Sequence, residues 1–131
     1  NKLFEGEWKY YHYASPAVMT TENYKNGKLE GVRTVYFLNG KVAEQITYVN
    51  NLKQGAYKKY TENGIVLEES NFKNNEYDGV SIFRNDSGIV VSKGMFAKGL
   101  KTGTWEVLEN GKLVKKSSTD LSQKSKSPQQ K

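Results

Sequence analysis

The chain has 131 residues, of which 36% are hydrophobic, 12% aromatic and none cysteine, and its formal net charge is +6. The missing cysteines exclude disulfides and thiolate metal sites, and no stretch is long and apolar enough to predict a membrane-spanning segment. Because residues 1–111 hold 14 basic and 13 acidic residues, with the excess positive charge after them, the composition does not indicate a nucleic-acid-binding groove.

The sequence repeats itself every 24 residues, and equivalent positions form columns of one residue type. The valine, aromatic and glycine columns are Val18, Val42, Val66, Val90 and Val114; Tyr24, Tyr48, Phe72 and Phe96; and Gly31, Gly55, Gly79 and Gly103. A fourth column, Gly27, Asn51, Asn75 and Gly99, contains the residue types that adopt positive φ most readily. This period predicts a repeat protein built from one supersecondary unit.

Each repeat contains two predicted strands and two turn signals. The first repeat, with segments 7–13 and 17–24 joined by Ala14-Ser15-Pro16, is atypical and resembles a cap. Later strands are predicted at residues 32–37, 41–48, 56–61, 65–72, 80–84, 89–96, 104–108 and 112–115. Asn-Gly type signals at Asn39-Gly40, Asn63-Gly64, Ser87-Gly88 and Asn110-Gly111 favour type I′ turns. Ten glycines are assigned structural turn roles: Gly27, Gly31, Gly40, Gly55, Gly64, Gly79, Gly88, Gly99, Gly103 and Gly111.

These elements predict an all-β protein, an elongated antiparallel meander of about five hairpin repeats in a single sheet. Period-2 alternation places Val42, Ile46 and Tyr48 on one face. In the other strand of each repeat, aromatic residues occur both two and five positions after the glycine. Either both faces therefore carry rings or a bulge changes the register. Residues 1–116 form the predicted repeat domain, and the polar, basic residues 117–131 are predicted to be a disordered tail.

The spacing of glycine, aromatic and Asn-Gly positions resembles the MORN repeat, most closely in residues 4–8 and in residues 96–105. The 24-residue period and the series Gly64, Glu68, Phe72 resemble the bacterial variant found in YwqK-like antitoxins. The likeness covers residues 4 to about 115, and it departs from the pattern where Arg33 and Ser81 replace the aromatic residue. It implies a sheet of hairpins used for protein contact or scaffolding, and the antitoxin label implies neutralisation of a toxin by binding.

The sequence contains no catalytic or cofactor-binding constellation. His12 is the only histidine, so neither a metal cluster nor a Ser-His-Asp triad is indicated. Glu44 and Glu68 occupy one repeat position, where they either line a groove or pair with Lys58 or Lys59 across the sheet; pairing is the favoured interpretation. No phosphate-binding glycine loop occurs. We therefore predict no enzyme, no cofactor and no metal.

The predicted function is a non-enzymatic protein-binding or scaffold module that uses an aromatic-rich sheet face, with Tyr36, Tyr57, Tyr60 and Trp105 as exposed anchors. The rings around Trp8 form either a contact surface or a cap. The alternatives are an antitoxin or immunity protein, and a structural element that pairs through its edge strands. We expect a protein partner, a monomer or weak edge-mediated self-association, and no nucleic-acid or membrane contact. The missing initial Met, together with the frequent export of the family that the sequence resembles, favours an exported or envelope-associated protein over a cytoplasmic one.

Overall fold

The computed structural model describes residues 3–119, which form one antiparallel sheet. Its strands are β1 (Gly6–Tyr11), β2 (Val18–Lys25), β3 (Lys28–Leu29), β4 (Gly31–Tyr36), β5 (Val42–Val49), β6 (Leu52–Tyr60), β7 (Val66–Lys73), β8 (Glu76–Tyr77), β9 (Gly79–Arg84), β10 (Val90–Ala97), β11 (Leu100–Glu109) and β12 (Lys112–Ser117). Ten of them follow each other in chain order from β1 to β12, while the short β3 and β8 pair with β2 and β7. The predicted hairpin meander is confirmed. Of the predicted tail, residues 120–131 lie outside the described residues.

Two kinds of turn alternate along the meander. Asn50 and Asn51 both have positive φ, 50° and 71°, which is the type I′ geometry, and the equivalent turns of the other repeats share it. At Asn39-Gly40 only the glycine has positive φ, and its amide donates to the carbonyl of Phe37 at 2.9 Å. Because Phe37 pairs with Lys41, the loop holds three residues, which suits a type I turn followed by a left-handed glycine.

The type I′ prediction is therefore wrong for three turns, Asn39-Gly40, Asn63-Gly64 and Ser87-Gly88, where only the glycine has positive φ. It holds for Asn110-Gly111, with φ of 51° and 79°. That turn has only two residues between its paired neighbours, Glu109 and Lys112.

The column glycines Gly31, Gly55, Gly79 and Gly103 also have positive φ, but they lie within or at the start of strands rather than at hairpin turns. Ile46 pairs with Tyr57 and Tyr48 with Lys53, so Thr47 faces three residues centred on Gly55. The same two-residue register shift recurs beside Gly31, Gly79 and Gly103. The left-handed glycine thus lets strand β6 bend while keeping both of its neighbours.

A second bulge corrects the predicted faces. Val35 pairs with Glu44 but Tyr36 pairs with Val42, so Ala43 is the extra residue. Directly paired residues share a face, and Val42 therefore lies with Tyr36 on the face opposite to Ile46. The predicted common face of Val42, Ile46 and Tyr48 is wrong for this reason. Both faces of the sheet carry rings.

Consecutive repeats are joined by a hydrogen bond that the sequence columns did not reveal. The residues before Gly6 and before the column glycines Gly31, Gly55 and Gly79 have a side-chain oxygen that accepts from a turn amide in the following repeat. The acceptors Glu5, Glu30, Gln54 and Asp78 bind the backbone amides of Asn26, Asn50, Asn74 and Lys98 at 2.6–3.3 Å. These bonds fix the left-handed first residue of these four type I′ turns against the preceding repeat.

Candidate functional site

One face of the sheet, here called the ring face, carries a continuous row of aromatic side chains: Tyr57, Phe72, Tyr77, Phe96 and Trp105. Phe72 stacks on Tyr77 and Tyr77 on Phe96, with ring centroids 4.6 and 4.7 Å apart. Tyr57 and Trp105 close the two ends of the row with edge-on contacts at 5.7 and 5.0 Å. The rings therefore cover one another and supply the main apolar packing of a sheet that has only one layer.

Trp105 has no exposed surface at all. The strand before it provides Gly94, whose missing side chain leaves the space that the indole occupies. The indole Nε1 donates to the carbonyl of Met95 at 3.0 Å, and the ammonium of Lys101 lies 5.2 Å from the ring centroid. A single-layer sheet buries this tryptophan because a large residue in one strand lies beside a small one in the next.

The predicted exposure of two anchors is wrong. Trp105 is fully buried and only 9% of Tyr57 is exposed, because the ring row packs against itself. Tyr36 and Tyr60 are half-buried and lie on the opposite face, so the structure does not bring the four predicted residues together.

The carboxylates of Glu44 and Glu68 accept hydrogen bonds from tyrosines on the ring face. The Tyr57 hydroxyl donates to Glu44 at 2.6 Å and the Tyr77 hydroxyl donates to Glu68 at 2.7 Å. Burial, together with these hydrogen bonds, raises the pKa of both tyrosines far above its ordinary range. These hydrogen bonds therefore hold Tyr57 and Tyr77 in position within the ring row.

The structure answers the question that the sequence left open about these glutamates. Lys59 lies directly opposite both Glu44 and Glu68 in the pairing register. The hydrogen bonds of both carboxylates nevertheless come from tyrosine hydroxyls, and for Glu68 also from Ser70 at 2.9 Å. The tyrosine partners are 9 and 13 residues away in sequence, a spacing that the bulges make possible.

Glu22 forms a similar pair in the first repeat, although Thr20 occupies the repeat position of Glu44 and Glu68. Its carboxylate accepts from the Arg33 Nε and from the Tyr24 hydroxyl, both at 2.8 Å. Burial alone would raise the pKa of Glu22, but the hydrogen bonds from Arg33 and Tyr24 and the charge of Arg33 lower it overall. Arg33, which replaces the ring found at this repeat position, is thus held by a carboxylate rather than by aromatic packing.

Replacing Glu22 with glutamine should remove a stabilising contribution of about 1 kcal/mol at neutral pH. Since the folded-state pKa is lowered, this contribution is present above the pKa of the unfolded chain and disappears as the pH falls through the folded-state value. Urea unfolding of both proteins over an acid-to-neutral pH series measures it. The two stabilities should converge in acid; a difference that is constant with pH would contradict the ion pair.

The opposite face, here called the groove face, exposes small apolar side chains. It carries Val32, Ala56 and Val80, each directly after a column glycine, and Met95. Val80 is 51% and Met95 49% exposed. Three adjoining open depressions connect these residues, and their walls also include Thr47, Lys58, Asn71, Ile82, Lys93, Thr104 and Glu106. Together they form one groove that crosses strands β4 to β11.

The bulges at the column glycines also place polar side chains along the groove. The carbonyl of Val32 accepts from Asn23 Nδ2 at 3.3 Å and that of Val80 from Asn71 Nδ2 at 3.2 Å. At Ala56, the Thr47 hydroxyl takes the same role at 3.3 Å. These bonds satisfy carbonyls that the bulge removes from the regular ladder. Sequence reasoning missed the groove because Val32, Ala56 and Val80 are small and share their column with the polar Thr104. Met95 belongs to a different column.

Two consecutive repeats of the chain are similar to a known repeat family. Residues 29–50 and 53–74 match a family model described as "MORN repeat variant". These two segments are MORN-type repeats. They contain strands β3 to β7 almost entirely, and therefore both the Glu44–Tyr57 pair and half of the groove. The search of curated proteins gave no match.

Among solved structures, the chain is similar to the one titled "Crystal Structure of TarM", with 13% sequence identity and a TM-score of 0.45. The match covers 77% of this chain and 21% of that chain, so this chain spans about a fifth of that protein's length. Similarity at this level supports no statement about function.

The N-terminal hairpin precedes the two matched MORN-type repeats and differs from them in exposure. Every residue of β1 is exposed, including Trp8, Tyr10 and Tyr11, and Tyr13 in the loop is almost completely so. His12 Nε2 lies 3.2 Å from the carbonyl of Tyr36 in the next hairpin. Within residues 3–119, no three side chains form a group that could hold a metal ion, and no helix is long and apolar enough to cross a membrane.

Proposed function

We propose that this protein is a non-enzymatic binding module and that its groove face receives a protein partner. The observation that supports this most is the row of exposed apolar side chains Val32, Ala56, Val80 and Met95, because contiguous exposed apolar surface is typical of protein-interaction sites. Lysine and glutamate side chains border the row. An apolar centre with a charged rim is the usual arrangement of a protein interface.

Two further observations support binding rather than catalysis. The perturbed titratable groups, Glu22, Tyr24, Tyr57 and Tyr77, belong to glutamate–tyrosine hydrogen bonds on the ring face. The depressions of the groove face are open to solvent, whereas small-molecule sites usually enclose most of the ligand surface. MORN repeats are often protein- or membrane-binding modules, which agrees with this proposal. Tyr36 and Tyr60, half-buried on the same face, are the candidates among the four predicted anchors for contact beside the groove.

The test introduces charge into the groove without disturbing the ring row. Val32→Lys combined with Val80→Lys should abolish recovery of the bound protein from native cells, because two exposed apolar contacts become buried charges in the complex. Ile89→Lys is the matched control, since Ile89 is equally exposed but lies next to the turn of residues 86–88, outside the groove. Quantitative mass spectrometry of the recovered proteins provides the measurement. Equal recovery with the groove variant and with wild type would contradict the proposal.

The more specific role, an antitoxin or immunity protein that neutralises a toxin by direct binding, is a particular case of this proposal. Co-expression with the product of an adjacent toxin gene tests it. Rescue of growth by the wild type, and its loss with the groove variant, would support that role; lethality that persists with the wild type would exclude it.

A further inference from the structure

Within residues 3–119, strand β1 has a hydrogen-bonded neighbour on one side only. The strands equivalent to β1 in the later repeats each lie between two hydrogen-bonded neighbours; they are β4, β6, β9 and β11. The difference is visible at Trp8 and Trp105, which lie two residues after Gly6 and Gly103 respectively. Trp105 is covered by strand β10 and is fully buried, whereas Trp8 remains 37% exposed at the edge.

The backbone hydrogen bonds determine which residues of β1 point to the free edge. The amide of His12 donates to the carbonyl of Ala17, towards β2. Because successive amides of a strand alternate in direction, Tyr10 and Trp8 also point their backbone groups towards β2. Glu7 and Lys9 therefore present their amides and carbonyls outward, as Glu30 does in the next repeat, where its amide donates to Asn23 of the preceding strand.

This alternation restricts how two copies of β1 could pair. In an antiparallel pair, outward-pointing residues face each other, so a two-fold axis must pass through a residue of the strand. An axis at Glu7 would oppose two glutamates, and an axis at Lys9 would oppose two lysines. An axis at Trp8 places Glu7 opposite Lys9 twice, with the two indoles side by side at the centre. An axis at Tyr10 lies near the end of the strand and pairs fewer residues.

The register centred on Trp8 also suits the side chains around it. It sets Gly6 opposite Tyr10, which leaves room for the tyrosine ring. Phe4 stacks on Trp8 at 4.2 Å on the same face, so each copy contributes a ready-made apolar pair to the centre. Strand β12, the other edge, offers no such match, because Lys112, Lys115 and Lys116 would repel their counterparts in a second copy.

We propose that β1 is a self-association edge, through which two copies of this chain pair antiparallel about Trp8 to form one continuous sheet. The inference does not depend on the proposed function, since the groove begins at β4, two strands away from this edge. The interface is a single strand pair, so we expect a weak, concentration-dependent dimer rather than an obligate one.

The test uses charge reversal within the 131-residue chain, with association measured by analytical ultracentrifugation over a concentration series. Lys9→Glu and Glu7→Lys should each raise the dimer dissociation constant at least about tenfold, because each variant opposes like charges twice. An equimolar mixture of the two variants should restore association, since every glutamate then faces a lysine. Neither substitution disturbs a charge pair within the hairpin, because Glu7 and Lys9 lie opposite Asn23 and Thr21 in β2.

Lys115→Glu, at the far edge, is the matched control and should associate like the wild type. Recovery of the dimer on mixing also shows that both single variants are folded, which circular dichroism checks independently. A wild-type chain that stays monomeric throughout the series would overturn the proposal. So would variants that dimerise unchanged, or loss of association in Lys115→Glu alone, which would indicate head-to-tail stacking of β12 on β1.

Discussion

Replacing Trp105 with alanine should lower the free energy of unfolding by about 3–5 kcal/mol, the range for truncating a fully buried large aromatic side chain. The variant lacks the ring contacts with Phe96 and Phe83 and the hydrogen bond to the carbonyl of Met95. The space left by the indole lies against Gly94, which has no side chain to fill it. Since globular domains are stable by only about 5–15 kcal/mol in total, the loss is a large fraction.

Trp8→Ala is the matched control, because the chain has only these two tryptophans. In the wild type Trp8 stacks on Phe4 and makes an edge contact with Tyr24, but it is 37% exposed. Its truncation should therefore lower the free energy of unfolding by only about 1–2 kcal/mol. Urea unfolding followed by circular dichroism, at a concentration where the chain is monomeric, measures both. Equal losses for the two variants would show that Trp105 is not the better packed of the pair.

The architecture could be predicted from the sequence because each repeat carries the same backbone requirement. Residues with φ > 0 recur every 24 positions, and only glycine or asparagine accept that conformation readily. Lys98 shows the limit of this reading, since it adopts φ of 52° with the help of a hydrogen bond from its amide to Asp78. Local chemistry was therefore sufficient to locate the turns and the strands between them.

The site could not be predicted in the same way, because it depends on pairing across strands. A bulge at Ala43 moves Val42 to the other face, and no residue type marks that bulge in the sequence. The burial of Tyr57 and Trp105 depends on the size of residues in the neighbouring strands. Gly94, which decides the burial of Trp105, belongs to no glycine column, since Ile46 and Ser70 occupy its repeat position.

Replacing Gly94 with alanine should destabilise the protein by about 1–3 kcal/mol or more, the usual cost of overpacking a well-filled site. A Cβ at this position would lie 2.3–2.5 Å from three ring atoms of Trp105, far inside van der Waals contact. Gly94 does not have a positive φ, so an alanine at this position adopts the backbone conformation without strain and the loss of stability is steric. Urea unfolding of the variant against wild type measures it.

A double-mutant cycle separates this steric cost from a general sensitivity of the sheet to glycine substitution. In a Trp105→Tyr background, Gly94→Ala should cost markedly less than in wild type, because the smaller ring leaves space, as Tyr57 does beside Ile46. Gly103→Ala provides the contrast: its Cβ would meet nothing within 4 Å, but its φ is 65°, so its cost comes from the backbone. That cost should be the same in both backgrounds, since ring size does not change the conformation that residue 103 must adopt. If Gly94→Ala were likewise indifferent to Trp105→Tyr, the burial of the indole could not be attributed to the missing side chain of Gly94.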